Sequence, residues 1–206
     1  MQLTGIADLG LRRRMRKNHP ELRALSKHSS ALAIKDHVSA DTWNDSYKFA
    51  FVRHPVDRTI SLYRYCARMM DVRTGKKFPV SAWYMTPWGK RTDPLHWPAM
   101  IAFAATSSFS EFIRHPALVD ERAMQPQVDS ICGRDGEIIV DCVARFERFD
   151  EEFAKIQAAI GVPVHAAAKR NTSGTSSVTR ADLSDDDLAR LAQQFADDFA
   201  RLDYEL

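Results

Sequence analysis

Eighteen residues, Lys48 to Tyr65, constrain this chain more than any other stretch. Lys48-Phe49-Ala50-Phe51-Val52-Arg53 is short, almost wholly apolar and rich in strand formers, which is how a buried parallel strand reads. His54-Pro55 stops it, and Pro55 suits the first position of a helix, where a missing N–H costs nothing. From there Val56, Ile60, Tyr63, Ala67 and Met70 recur at helical spacing. The segment therefore predicts strand, tight turn and helix. A second apolar run, Glu137 to Phe146, reads as a further strand or strand pair entered through the Gly133–Gly136 turn. Strands alternating with helices give an α/β fold, a parallel sheet flanked by helices.

The chemistry of the first segment lies at its turn. An arginine at the carboxyl end of a buried strand sits where ligands bind open α/β sheets. The planar fork of Arg53 matches a phosphate bidentately. The helix after it directs its N-terminal amides and dipole to the same place, and Ser61 offers a hydroxyl one turn further on. The plain alternative is an ion pair between Arg53 and Asp57, with Ser61 a solvated surface residue.

The rest of the 206 residues suits one domain spanning 1–206. The first forty residues read as helix, with a basic run from Arg12 to Lys17, an interruption at His19-Pro20 and apolar contacts from Leu22, Leu25, Leu32 and Ile34. Residues 71 to 108 hold Pro79, Pro87, Pro94 and Pro98 and three of the four tryptophans, and are expected to be an irregular substrate or lid loop. A short helix begins at Ser110. The helix Phe149 to Ile160 carries Phe149, Phe153, Ile156 and Ile160 on one face and is ended by Gly161 and Pro163. The last helix opens with a capping box of Ser184 and Asp187, and Leu188, Leu191, Phe195, Phe199 and Leu202 form its stripe.

The string Phe51-Val52-Arg53-His54-Pro55-Val56-Asp57-Arg58, with Ser61 and Tyr63, closely resembles the 3′-phosphate motif of the PAPS-dependent sulfotransferases, in the carbohydrate and bacterial branch. That pattern runs F-x-F-V-R-[ND]-P-x-D-R-x-x-S-x-Y, and the chief departure is His54. The likeness extends through His28-Ser29-Ser30-Ala31, Ile34-Lys35 and Trp43, then Gln125-Pro126-Gln127, Arg145-Phe146-Glu147, Asn171-Thr172-Ser173, and Asp198-Phe199 with Tyr204. It implies a P-loop-like sulfotransferase fold, PAPS as co-substrate, PAP as product, and a carbohydrate or other hydroxyl-bearing small molecule as acceptor. It also implies that Arg53 and Ser61 contact the 3′-phosphate. A base must take the acceptor's proton; the resemblance gives His28 that role, with His37 second. Arg145 and Glu147 either shape the cleft or form a structural pair, and Asn171 and Arg180 are candidates for nucleotide or acceptor contacts. The sugar-stacking alternative for Trp83, Trp88 and Trp97 competes with simple packing.

One element of the family pattern is not found in these residues. The P-K-[TS]-[AG]-[GS]-[TS] loop, whose lysine and amides hold the 5′-phosphosulfate, has no counterpart, since Gly75-Lys76-Lys77 lacks the preceding glycine, the hydroxyl residue and a strand before it. Residues 1 to 27 read instead as the body of the helix that comes after such a loop, with its connection. The expectation is a chain lacking its N-terminal strand, impaired in turnover and prone to self-association through an exposed sheet edge. A non-catalytic remnant that still binds the nucleotide is the alternative. A third reading, nucleic-acid binding through Arg12–Lys17, is disfavoured because the run lacks interleaved aromatics and the net charge is only +2.

Three cysteines without C-x-x-C spacing argue against a disulfide framework or zinc site, and no His/Cys/Asp cluster has ligand spacing, so the expected catalysis needs no metal. No apolar run approaches bilayer length, the N-terminus does not read as a secretory signal, and a cytoplasmic location is the expectation.

Overall fold

The computed structural model describes residues 25, 26, 28–73, 97–164 and 178–206, which belong to two units. The basic run Arg12–Lys17, Gly75-Lys76-Lys77, Trp83, Trp88 and Asn171 lie outside the described residues.

The first unit comprises residues 1–53 and 127–167. Helix α1 (Ala31–Lys35) begins where the Ser30 hydroxyl accepts from the Ala33 N–H, and α2 (Ala40–Asp45) where Ser39 does the same for Thr42. Each cap satisfies an N–H that the helix itself cannot. Strands β1 (Phe49–Val52) and β2 (Cys142–Arg145) are parallel, with Phe49 opposite Cys142 and Val52 opposite Arg145. Asp141 fixes that register. Its carboxylate accepts from the Lys48 N–H at 2.7 Å and pairs with Lys48 Nζ at 3.0 Å.

The second strand is shorter than the apolar run that predicts it. Parallel pairing starts only where β1 offers a partner, so residues before Cys142 do something else. They fold back through an antiparallel bridge between Cys132 and Ile138, around Gly136 at φ 81°, a conformation glycine adopts without strain. Alternation along β1 aligns Tyr47, Phe49 and Phe51. Phe51 meets Phe149 at 4.6 Å, and Phe149 stacks on Phe153 at 5.6 Å. These rings come from α6 (Phe149–Ala159), whose acidic first turn complements its dipole and which ends before Gly161 at φ 70°.

The second unit comprises residues 54–126 and 168–206. Helix α3 runs Pro55–Arg73, with Pro55 in the expected first position. Val56, Ile60, Met100, Phe112, Leu191 and Phe195 are buried in one apolar cluster, and each such side chain removed from water stabilises the unit by about 1.5–3 kcal/mol. Tyr63 packs edge-on or tilted against Phe103, Phe109 and Phe112, at 4.9–5.4 Å.

Two expectations are corrected here. The stretch 71–108 is not irregular throughout: α3 reaches Arg73 and α4 occupies Pro98–Ala105. Its Pro98 is a helix-starting residue, and the apolar run Ala99–Ala105 buries Ala99, Met100 and Ala102. A count of prolines therefore misleads at that end. After α5 (Phe109–Phe112), the last helix is two: α7 (Asp185–Gln194) and α8 (Ala196–Arg201), broken at Phe195 (φ −110°, ψ 29°). Beyond the break, Asp198 comes near Arg58 and Phe199 packs against His54. The capping box of Ser184 and Asp187 is present. No described helix is long and apolar enough to cross a membrane.

Candidate functional site

Arg53 immediately succeeds β1, past the last residue pair of the sheet. Its main chain has therefore lost the ladder that would satisfy its N–H and C=O. The side-chain amide of Gln127 takes both. The Arg53 N–H donates to Gln127 Oε1 at 2.9 Å, and Gln127 Nε2 donates to the Arg53 carbonyl at 2.7 Å. The guanidinium lies over the Phe146 ring, 5.3 Å from its centroid, and Phe146 is 47 % exposed. Among the described residues that guanidinium has no hydrogen bond or ion pair. Among the described residues the fork's donors therefore remain unused.

The start of α3 is organised by His54. Its buried ring accepts from the Val56 N–H through Nδ1 at 3.2 Å, so Nε2 carries the proton it donates to the Glu205 carbonyl at 2.7 Å. Phe199 and Tyr204 pack edge-on to the ring at 5.6 and 5.3 Å. His54 is therefore a helix cap that also holds the C-terminal segment. This changes the anion site expected from helix amides, because Pro55 has no N–H and that of Val56 is occupied. Side chains must carry more of the work. Ser61, on the second turn of α3, is half-buried, and its hydroxyl makes no hydrogen bond among the described residues.

The later motif pieces find structural employment in the second unit. Arg58 donates to the carbonyls of Gln125 (2.8 Å) and Arg122 (3.2 Å), lies over Phe195, and approaches the buried Asp198 at 3.9 Å. Burial lowers its pKa from the usual arginine value, while Asp198 and Glu121 oppose that shift. Arg58 is committed to the fold. Arg114 is similarly engaged with Asp186 and Asp187 at the start of α7.

The candidate bases separate. His28 is exposed in the turn ahead of α1, its N–H bonded to Ser26 Oγ at 3.0 Å. His37 donates from Nδ1 to the Ala33 carbonyl at 2.7 Å, so one face of its ring is spoken for by its own helix. Arg145 ends β2 opposite Val52, and Glu147 is exposed in the turn after it. Arg180 begins a short 3₁₀ turn, and Trp97 stacks on Tyr65 at 6.4 Å. Cys66 is no nucleophile at neutral pH: burial, with a contribution from Glu121, pushes its thiol up to about 12. Gln127 is the residue that sequence reasoning left without a role. Its only prior signal is the P-Q element of the family likeness.

Comparison with known proteins agrees with this architecture. A model of the Sulfotransferase family matches residues 10–205, so the chain belongs to the sulfotransferase family. No curated protein and no solved structure matches it.

Proposed function

We propose that this domain moves a sulfuryl group from PAPS to a hydroxyl of a carbohydrate or other small molecule, with Arg53 and Ser61 taking the 3′-phosphate of the nucleotide. Family membership supports sulfate transfer in general. The observation that carries the specific reading is the Arg53 guanidinium, set beyond a parallel strand on an exposed aromatic ring with no protein anion among the described residues to satisfy it. A bidentate phosphate suits that fork, and the unused Ser61 hydroxyl supplies one further donor. In transfer, the acceptor oxygen bonds to sulfur as the bond between sulfur and the bridging phosphate oxygen breaks. PAP departs with the electron pair, and the hydroxyl proton passes to His28.

One sequence observation favours a narrower second reading. These 206 residues contain no P-K-[TS] loop for the 5′-phosphosulfate. The chain by itself is therefore expected to hold PAP without turning over PAPS. Retention on immobilised adenosine 3′,5′-bisphosphate tests the shared claim. The protein should be retained, elute with free bisphosphate, and pass through after Arg53→Ala. Retention that survives the substitution sinks the assignment. Sulfate transfer by the retained protein would reject the narrower reading and leave the site intact.

A further inference from the structure

Gln127 uses both ends of its amide on a single residue, and that residue is Arg53. A side chain that pairs with one N–H and one C=O of the same residue does what a neighbouring strand does. It removes the freedom of the backbone at the point where the sheet has stopped doing so. The direction of an arginine's fork depends on that backbone, because the Cα–Cβ vector is set by φ and ψ. Phe146 then supports the guanidinium from below at 5.3 Å, without consuming a donor. The main chain is locked, the plane is supported, and among the described residues the rim is left free.

We infer that Gln127 is the positioning residue of the anion site, holding the Arg53 fork in the orientation that meets a nucleotide 3′-phosphate. This rests on the assignment of Arg53 to that phosphate and adds to it a residue that never touches the ligand. No other side chain can replace it simply. A carboxylate at this place accepts from the N–H but has nothing to donate to the carbonyl, and a shorter amide moves both atoms inward. Gln127→Met keeps the length and apolar stem and removes both hydrogen bonds.

Because Gln127 acts through Arg53, its effect should exist only where the guanidinium and the 3′-phosphate are both present. The experiment is a titration of the full chain with adenosine 3′,5′-bisphosphate and with adenosine 5′-phosphate. It is run for wild type, Gln127→Met, Arg53→Ala and the double variant, each first checked for a cooperative unfolding transition. Gln127→Met should weaken the bisphosphate roughly tenfold, the scale of a lost hydrogen-bonded orientation. It should leave the monophosphate unchanged, and cost under about twofold more when added to Arg53→Ala. In wild type the Arg53 amide should exchange slowly with solvent, and that protection should vanish in Gln127→Met while the β1 amides keep theirs. Equal weakening of both nucleotides, or a full effect in the Arg53→Ala background, overturns the proposal in favour of a general structural role. So does bisphosphate binding that Gln127→Met leaves untouched. Bisphosphate binding that is indifferent to Arg53→Ala, or absent from wild type, instead overturns the site assignment on which the proposal stands.

Discussion

Arg53 and Arg58 are five residues apart on one strand–turn–helix, and both guanidinium groups lie over a phenylalanine, Phe146 and Phe195 respectively. What surrounds their rims differs. Arg58 has two backbone carbonyls and a buried carboxylate within reach, and its charge is consumed in holding the second unit together. Arg53 has the ring and no hydrogen-bonding partner for its fork among the described residues. The family pattern names both arginines alike. Only the hydrogen-bond accounting distinguishes the one that builds the fold from the one with donors left to bind something.

The sharpest break in that contrast comes from Asp198. Replacing it with alanine leaves the buried Arg58 with its two carbonyls and only the charge of Glu121 to oppose its desolvation, and urea unfolding should show a loss of about 3 kcal/mol. An unchanged midpoint would mean that these hold Arg58 without Asp198. Arg114 extends the test to a third arginine. Burial on its own would push Asp187 up, but hydrogen bonds from Arg114, Ser110 and Ser184 prevail and hold its carboxyl below the usual range. A depressed carboxylate contributes stability that is present above its unfolded pKa of about 3.9. That stability is lost as pH falls through the lower folded value. Asp187→Asn should therefore cost about 2 kcal/mol at neutral pH, and the gap from wild type should close on acidification below about pH 4. A gap that persists in acid would place the effect outside the ion pair.

His54 lies between the two arginines in sequence and gives a smaller effect. Asparagine at this position can still cap the Val56 N–H but cannot reach the Glu205 carbonyl, so His54→Asn should cost about 1 kcal/mol in thermal unfolding. Removing Glu205 and Leu206 should cost about as much, and combining the two changes should add little. Full additivity would show that the tail and the ring act separately. The smallest effect on stability belongs to Arg53. Its replacement by alanine should stay within about 0.5 kcal/mol of wild type, whatever it does to binding.

Local features of the fold were legible in the sequence because short-range chemistry dictates them. The apolar run before Arg53, Pro55 at the head of α3, the Ser184–Asp187 capping box and the glycine after α6 all act within a few residues. The features that escaped depend on partners elsewhere. The extent of β2 is set by where β1 begins, and the break at Phe195 accompanies contacts of Asp198 and Phe199 with residues near 54–58. Helix α4 was hidden by the prolines that precede it. For the site, the residue type and place of Arg53 could be read directly. The clamp by Gln127, 74 residues away, and the bond from His54 to Glu205, 151 residues away, could not, since no local pattern encodes them.

The contrast between the two arginines comes down to whether the Arg53 fork is reserved for a ligand. Calorimetric titration of adenosine 3′,5′-bisphosphate into the Arg53→Ala protein, beside wild type at equal ionic strength, decides it. Heat of binding is expected in wild type, and binding weaker by about a hundredfold or more in a variant that unfolds at the wild-type temperature. Matching isotherms for the two proteins, or a variant that has lost its fold, would contradict it.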